Sequence, residues 1–487
     1  MVSVTKAGLR PANRRNRWRG WALTFILSAL AAGAASLGDA AAMRADFKAP
    51  GPRPSMAGFL VGIVPSDPPP LTWAQSLAPA MWRGGVGPID YARSAGATYD
   101  LVTNFMWGVP RANWQPTGNP PYGNDPQKPD WSRYEQFLTS LARQNRDRVT
   151  FWEFWNEPDF ENSWPQTAAG GERCPDSWGP DPSQDLLFET YAHFYHVMRR
   201  ELGADALLVA PSTASYCLSY LRKFLDFSIA RGLEVNVLSW HELGGPSERN
   251  LSLIEDHLAQ ARAEFFFDPA RPHTARYRPL KLKQIHINEM VGRVHYFRPG
   301  ETAAYLYFLE RGGADAAGHA CWEDNGAGDA RATGCQNNTL DSLLVPLSPD
   351  APPSSPRQPR AVWWVYKAYA DIRARRVPCE PNSPQTVCLA GLNDTGQPVL
   401  IVGSFAPDRK AAATLELDVQ NLAGQPTFAA VRRVHARIER LEPGPQAVPA
   451  PSVVREMDLS VIAGHVPVAL PPLASHEAYI VTITPNK

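Results

Sequence analysis

The chain has 487 residues, which is more than one hydrophobic core usually supports. Its 48 basic residues balance 48 acidic ones, so nothing in the charge points to a nucleic-acid partner or a membrane-surface partner. No repeat with a period of roughly 20–50 residues is visible, which argues against a solenoid or a propeller. The sequence therefore predicts two globular domains.

Residues 1–42 have the pattern of a signal peptide. A group of arginines between positions 10 and 19 precedes an apolar run from Trp21 to Leu37, and Ala40, Ala41 and Ala42 supply small residues for cleavage. The alternative is an uncut membrane anchor, but this Ala- and Gly-rich run is marginal for spanning a bilayer. We expect cleavage and export to a secreted or periplasmic location, with no stable membrane insertion afterwards.

Six cysteines in an exported chain are compatible with three disulfides. Their positions predict two local pairs and one between loops, namely Cys379 with Cys388, Cys321 with Cys335, and Cys174 with Cys217. The last pair requires its two loops to be neighbours. The alternative is that some of the six are free and buried.

From about Met56 to Ile372, short apolar runs alternate with helical periodicity. The strand candidates are Phe59–Val64, Met81–Val86, Leu101–Trp107, Val149–Glu157, Leu207–Pro211, Val235–Leu243, Leu282–Glu289 and Ala314–Trp322. The helical stretches are Tyr134–Arg143, Leu186–Leu202, Ser219–Gly232, Leu251–Phe267 and Ala361–Arg375. This alternation predicts a closed (β/α)8 TIM barrel over residues 43–375. An open doubly wound sheet is the alternative, but no glycine-rich dinucleotide fingerprint follows the first strand.

After residue 375 the helical periodicity ends, and Gly, Pro and Asn turns separate short strand-like segments. These segments are Val387–Leu392, Val399–Phe405, Ala412–Val419, Thr427–Arg433, Val453–Leu459 and Ala478–Ile483. The pattern predicts a smaller antiparallel β-sandwich over residues 376–487.

Two glutamates stand out at the predicted strand ends. The stretch FWEFWNEPDF places Glu157 just before Pro158, where the fourth strand should stop, and LKLKQIHINEMVGR ends the seventh strand at Glu289. In a TIM barrel the carboxyl ends of the strands carry the active site. Two such glutamates can face each other across the barrel mouth, which is the arrangement that glycoside hydrolysis needs.

The order of these motifs resembles the clan A glycoside hydrolases, and the lead-in to strand four looks most like glycoside hydrolase family 39. The resemblance implies retention of configuration, with Glu157 as acid/base and Glu289 as nucleophile. It also implies substrate contacts by Asn156 on the sugar 2-hydroxyl, by Arg83 from strand two, by His241 from strand six and by Trp322 from strand eight. After strand six, this chain has His241-Glu242-Leu243, where the family often has His-Pro or His-Tyr.

Several other side chains have competing interpretations. Glu153 shares the predicted strand face of Glu157 but lies deeper, so we expect it to pair with Arg83 in a supporting position rather than act as a catalytic residue. His241 is interpreted as an orienting donor near Glu289, with a satisfied core histidine as the alternative. No His, Cys or Asp spacing resembles a metal site, so no metal and no cofactor are predicted.

A carbohydrate site needs aromatic rings at its rim, because the C–H faces of sugars pack on them. Five tryptophans fall at or just after predicted strand ends, namely Trp107, Trp114, Trp164, Trp178 and Trp322. Each could instead belong to the core, but the group as a whole is expected to contribute substrate contacts.

The resulting hypothesis is an exported retaining glycosidase that acts on an oligosaccharide or polysaccharide. A β-xylosidase-like exo-glycosidase and an exopolysaccharide endo-glycosidase both fit the sequence. The alternative class is a non-catalytic carbohydrate-binding or scaffold protein on a barrel fold.

Overall fold

The computed structural model describes most of the chain between residues 42 and 486. The described ranges are 42–63, 68–103, 131–158, 182–244, 251–292, 294–321, 340, 342–346, 356–407 and 415–486. Residues 41–487 form one compact unit. Residues 1–41, Cys174, Cys335 and the tryptophans predicted to form the rim lie outside the described residues.

Eight parallel strands close into a barrel. The first strand of the chain, β1 (Met43–Asp46), lies outside that barrel. The barrel strands follow as β2 (Ala57–Leu60), β3 (Met81–Gly84), β4 (Thr98–Val102), β5 (Phe151–Glu153), β6 (Leu207–Thr213), β7 (Val237–Glu242), β8 (Gln284–Met290) and β9 (Ala316–His319). Strand β2 pairs in parallel with both β3 and β9, which closes the ring. The predicted TIM barrel is confirmed.

Helices surround the barrel and bury one face against it. They are α1 (Leu71–Gln75), α2 (Ile89–Ser94), α3 (Trp131–Asn145), α4 (Pro182–Leu202), α5 (Leu218–Ala230), α6 (Leu253–Phe265), α7 (Pro299–Gly312) and α8 (Ala361–Asp371). In α3 the buried residues are Tyr134, Leu138, Ala142 and Asn145, a spacing of about one helical turn. None of the helices in the described ranges combines the length and the hydropathy that a bilayer crossing needs.

Two further groups of strands complete the fold. Strand β10 (Leu344–Pro346) pairs antiparallel with β11 (Arg357–Pro359). The sandwich strands are β12 (Arg376–Val377), β13 (Cys379–Glu380), β14 (Thr386–Leu392), β15 (Pro398–Ser404), β16 (Glu416–Gln420), β17 (Arg433–Leu441), β18 (Ser452–Ser460), β19 (His465–Ala469) and β20 (Ala478–Pro485). One sheet has the order β13-β1-β16-β19, and the other has the order β12-β14-β15-β20-β17-β18.

Strands β14 and β15 of the six-stranded sheet are buried along their whole length, on both faces, which joins the sandwich to the barrel. In β14, Val387 and Leu389 pack into the core of the barrel, whereas Cys388 and Ala390 pack between the two sheets. This alternation follows from the side-chain period of two along a strand. Helix α7 lies against this sheet and is buried along almost its whole length. The sandwich therefore covers the outer face of a barrel helix.

Several predicted strands differ from the structure by a few residues at their ends, and two differ more clearly. The prediction of Val149–Glu157 is too long, because regular pairing ends at Glu153 and the chain then turns irregularly toward Pro158. The prediction of Thr427–Arg433 is wrong, because Pro426–Phe428 forms a 3-10 turn and strand β17 begins only at Arg433. Proline at the start of that turn sets φ for helical backbone and cannot donate to a sheet.

The disulfide between Cys379 and Cys388 is present, as predicted. Cys217 is part of a disulfide as well, and so is Cys321. Because Cys174 and Cys335 lie outside the described residues, the pairs Cys174–Cys217 and Cys321–Cys335 stay predictions.

Candidate active site

Arg83 on β3 is the centre of a buried polar cluster at one end of the barrel. Its Nε donates to Glu153 Oε2 at 2.6 Å, and its Nη2 donates to Glu153 Oε1 at 2.7 Å. This two-point geometry matches the planar fork of a guanidinium to a carboxylate. Glu153 is fully buried and Arg83 nearly so, and the paired charges are what makes their burial tolerable. The expected pairing of Arg83 with Glu153 is observed.

The same guanidinium reaches two further residues that the sequence analysis selected. Nη1 of Arg83 donates to Glu289 Oε1 at 2.7 Å, and Nη2 donates to Asn156 Oδ1 at 2.6 Å. Burial, the largest single effect, lowers the pKa of Arg83, but the carboxylates of Glu153, Glu289 and Asp100 together outweigh it and raise the pKa. Arg83 therefore stays charged while it orients Glu289 and Asn156.

Glu157 lies four residues beyond the end of β5, in a segment that still follows β6. Its backbone N–H donates to Ser212 O at 2.9 Å, and Phe154 N–H donates to Val209 O at 3.0 Å. Glu157 has φ of +48°, in the left-handed region that a residue with a side chain rarely adopts. Such strain persists only where the surrounding structure holds it, and it is common at functional sites.

The side chains of Glu157, His241 and Glu289 meet at one point. Each offers one ligand-type atom, and these atoms all lie within 4.8 Å of one another. His241 Nδ1 is 3.1 Å from Glu157 Oε1 but 3.9 Å from Glu289 Oε2. The histidine therefore lies near Glu289, as predicted, but its hydrogen-bond partner is Glu157.

His241 is fully buried, and burial lowers its pKa to about 4 despite the opposing charge of Glu289. The ring is consequently neutral near neutral pH. Its Nε2 makes no hydrogen bond to any described residue, so neither tautomer is fixed from that side. Depending on the tautomer, Nδ1 can then accept a hydrogen bond from a protonated Glu157 or donate one to an ionised Glu157.

A divalent metal would fit this group poorly. Two carboxylates and an imidazole are acceptable ligand types for several metals. Glu289, however, already carries a charge-assisted hydrogen bond from Arg83, and a metal ion would have to sit close to that fixed positive charge. We therefore assign no metal to the site.

Asp100 and His286 lie beside this cluster inside the barrel. Asp100 is not among the site residues that the sequence predicted. Asp100 is the register partner of Arg83 between β3 and β4 and is fully buried. Its Oδ2 is 3.9 Å from His286 Nδ1, and neither oxygen makes a hydrogen bond to a described residue. Burial raises the pKa of Asp100 to about 7, with the charge of Arg83 opposing the shift. The sequence signal was an acidic residue within the apolar run Tyr99-Asp100-Leu101-Val102.

Glu242 points away from the meeting point of Glu157, His241 and Glu289. Its Oε1 accepts from Trp240 Nε1 at 2.7 Å and lies 2.9 Å from His257 Nδ1 on α6. The departure from the family pattern after strand six thus places a buried acid against α6. The predicted aromatic contacts Trp107, Trp164 and Trp322 lie outside the described residues.

Comparisons with known proteins support the architecture. No family model matches the chain, and no curated protein matches it either. Among solved structures, N2152 from Neocallimastix frontalis has a TM-score of 0.64 and 18% identity, covering 91% of this chain and 99% of that chain. The GH39 enzyme from Xanthomonas axonopodis pv. citri has a TM-score of 0.59 and 13% identity, covering 91% and 97%.

A monomeric beta-xylosidase from Caulobacter crescentus CB15 has a TM-score of 0.58 and 13% identity, covering 91% of this chain and 99% of that chain. The barrel and the sandwich are therefore matched together, over nearly the full length of these proteins. The predicted resemblance to clan A glycoside hydrolases such as family 39 is confirmed as a likeness of fold. At such identities the likeness establishes the fold alone, and the chemistry has to be argued from the site.

Proposed function

We propose that the protein is an exported retaining glycoside hydrolase, in which Glu157 is the general acid/base and Glu289 is the nucleophile. The separation of the two carboxylates carries this proposal. Retaining enzymes hold their carboxyls about 5–5.5 Å apart, whereas inverting enzymes separate them by about 6.5–9.5 Å to leave room for a water. Oxygens of Glu157 and Glu289 lie within 4.8 Å of each other. This distance supports the retaining arrangement.

In the first half-reaction, Glu289 attacks the anomeric carbon and Glu157 protonates the leaving oxygen. A bond forms between Glu289 and the sugar, the glycosidic C–O bond breaks, and the proton of Glu157 leaves with the aglycone. Arg83 holds Glu289 Oε1, so Oε2 is the oxygen left to attack. The fixed hydrogen bond orients the nucleophile before substrate arrives.

In the second half-reaction, Glu157 takes a proton from water, and that water attacks the same carbon. The bond to Glu289 breaks and the carboxylate is restored, so two inversions give net retention. Glu157 is ionised at this stage, because the charge of Glu289, which favours the protonated form of Glu157, is absent from the covalent intermediate; the carboxylate can therefore accept the proton. His241 can serve both states of Glu157, since neither tautomer of the buried neutral ring is fixed through Nε2.

Asn156 supports substrate binding in this scheme. Its Oδ1 accepts from Arg83, and an amide NH2 is a donor of the kind that a sugar hydroxyl accepts from. The family resemblance suggests the sugar 2-hydroxyl, where hydrogen bonds strengthen in the transition state. Arg83 thus connects the nucleophile with the residue proposed to bind the sugar.

A carbohydrate is the proposed substrate class, and the beta-xylosidase among the similar structures favours the exo-acting, β-xylosidase-like form. An endo-acting glycosidase is the other form of the same chemistry. Trp107, Trp164 and Trp322 remain the proposed aromatic rim. Disulfide bonding supports an oxidising compartment and hence export, with residues 1–42 as a signal peptide. The barrel then lies within 43–375, and the sandwich consists of 376–487 together with β1 (Met43–Asp46).

A non-catalytic carbohydrate-binding or scaffold protein is disfavoured by the site itself. Such a protein would have no need for Glu157 in a strained backbone or for two carboxylates held within 4.8 Å. Burying and orienting these groups is costly unless they act.

The test is hydrolysis of a panel of aryl glycosides and oligosaccharides by wild type and by Glu289→Ala. We expect wild type to turn over at least one sugar with retained configuration, and Glu289→Ala to be nearly inactive on it. Single sugars released from an oligosaccharide ladder would support the exo-acting form, and mixed lengths the endo-acting form. Inverted product from wild type, or full activity in Glu289→Ala, would contradict the proposal.

A further inference from the structure

The loop that follows Glu289 is tightly packed against the loop that follows His241. A Cβ on Gly292 would lie 1.8 Å from Leu243 O, and a Cβ on Gly244 would lie 2.8 Å from Tyr305 Oη. Only glycine fits so close to the backbone oxygen of Leu243. Gly292 is three residues beyond Glu289, so the loops that follow β7 and β8 hold each other in place.

Backbone strain marks the same loop. Val291, two residues after Glu289, has φ of +66°, and a β-branched residue in the left-handed region is a genuine outlier. Its side chain is fully buried. A strained conformation of this kind persists only when neighbouring structure over-determines it. The loop therefore needs support from outside itself.

The loop after Glu289 leads into α7, and the β-sandwich contacts the first turn of that helix. A Cβ on Gly300 would lie 2.0 Å from Ser404 O, and Gly300 N–H donates to His476 O at 2.9 Å. Ser404 ends β15 and His476 lies just before β20, so both belong to the sandwich. The first turn of α7 is thus closely fitted to the sandwich.

A buried ionisable cluster completes this contact. His476 Nδ1 forms a hydrogen bond with Glu301 Oε1, and Glu301 also lies 3.5 Å from Arg298 Nη1 and 4.0 Å from His295 Nδ1. His476, Glu301 and His295 are each less than a tenth exposed. His295 in turn is adjacent to Gly244, on the loop that follows His241. A continuous line of contacts therefore runs from the sandwich to the residues beside Glu157 and Glu289.

We propose that His476 of the β-sandwich is a positioning residue, which fixes the strained loop after Glu289 through its contact with Glu301. The inference rests on the proposed function of Glu289 and adds that the sandwich takes part in assembling the site. His476 acts through the loop and touches no reacting atom. Its loss should displace the nucleophile, and small displacements of a catalytic group reduce turnover strongly.

Three variants separate this role from simple stabilisation. His476 has φ of +69°. His476→Gly removes the side chain without straining this backbone. His476→Asn tolerates the left-handed region and keeps a donor near the position of Nδ1. His465→Gly is the matched control, because it removes a half-exposed histidine of the same sandwich that pairs with Asp418.

We expect His476→Gly to lower kcat by about tenfold or more with a smaller change in KM. We expect His476→Asn to recover most of that loss and His465→Gly to lower only the melting temperature. Equal kcat in His476→Gly and His465→Gly, where wild type is active, would overturn the inference. If no variant and no wild-type sample hydrolyses any glycoside, the proposed function fails instead.

Hydrogen exchange gives a second measurement that does not depend on activity. The backbone amides of His295 and Arg298 donate within the loop, to Gly292 O at 2.9 Å and to His295 O at 3.0 Å. We expect these amides to exchange faster in His476→Gly than in wild type or His465→Gly. Unchanged exchange at both amides would also overturn the inference.

Discussion

Arg83 Nη1 donates a 2.7 Å hydrogen bond to Glu289 Oε1, which links a side chain on β3 to one on β8. These strands are not neighbours, since β9 and β2 lie between them in the barrel. The remaining nitrogens of the same guanidinium bind Glu153 and Asn156. A single guanidinium thus binds the buried Glu153 and orients both the proposed nucleophile, Glu289, and the proposed sugar-binding amide, Asn156.

Arg83→Lys tests this alignment. A lysine keeps the charge, but one ammonium cannot reproduce the fork that binds Glu153 at two points and Glu289 at a third. We expect kcat/KM to fall at least tenfold, which corresponds to a loss of about 1.4 kcal/mol. We also expect the melting temperature to drop. Breaking a buried pair costs roughly 3–5 kcal/mol when one partner is lost, and the retained charge should reduce that cost. The control is Arg148→Lys, whose pair with Asp90 is exposed. If Arg83→Lys and Arg148→Lys melted at the same temperature within error, the proposed alignment by Arg83 would be refuted.

Glu157→Gln tests the general acid. Glutamine cannot deliver a proton to the leaving oxygen, so substrates with poor leaving groups should lose the most activity. Aryl glycosides with nitrophenol leaving groups need little protonation and should retain substantial turnover. Rates across a series of aryl leaving groups measure the effect, with Glu189→Gln on α4 as the control because that side chain pairs with Arg231 at the surface. Equal losses for good and poor leaving groups would show that Glu157 is not the acid.

Glu289→Ala tests the nucleophile and the stereochemistry together. We expect activity to fall by roughly four orders of magnitude, as for other deleted catalytic residues. Azide can enter the space left by the carboxylate and attack an activated aryl glycoside once, which gives a glycosyl azide of inverted configuration. In Glu157→Ala the covalent intermediate still forms, so azide should instead yield the retained product. Product configuration by NMR distinguishes the two, and the same configuration from both variants would reject the assignment.

Asp100→Asn tests the buried acid beside Arg83. The pKa of Asp100 is raised from 3.8 in the reference state to about 7 in the fold, chiefly by burial. The folded state therefore holds its proton more tightly than the unfolded state. The contribution of Asp100 to the free energy of unfolding is fully present below pH 4. It is lost as the pH rises toward 7, at about 1.4 kcal/mol per pH unit.

Asparagine does not titrate, so Asp100→Asn should melt at a higher temperature than wild type at pH 8 and at nearly the same temperature at pH 4. Melting curves at the two pH values are the measurement. Asp90→Asn, at an exposed position, is the control and should show no such pH-dependent gain. A lower melting temperature for Asp100→Asn at pH 8 would mean that Asp100 is ionised and stabilising in the fold.

The sequence by itself predicted the order of the barrel strands and helices and the two glutamates of the candidate site. Periodicities of two and 3.6 residues are local properties, so they identify strands and helices without knowledge of their partners. The stop at Pro158 and the apolar run before Glu289 likewise placed both carboxylates at one end of a barrel. The pairing of Glu153 with Arg83 followed because a buried charge needs an opposite one.

Only the tertiary structure decided which distant residues meet. Strand β1 precedes the barrel in sequence but pairs with β13 and β16 of the sandwich, and no local pattern distinguishes these partners. His241 lies nearer to Glu157 than to Glu289 because the chain beyond β5 bends irregularly, with a left-handed backbone at Glu157. The contact of His476 with Glu301 depends on how the sandwich docks on α7. Such contacts arise from strand register, loop conformation and domain packing, which are set by the summed burial of many side chains rather than by the residues that finally touch.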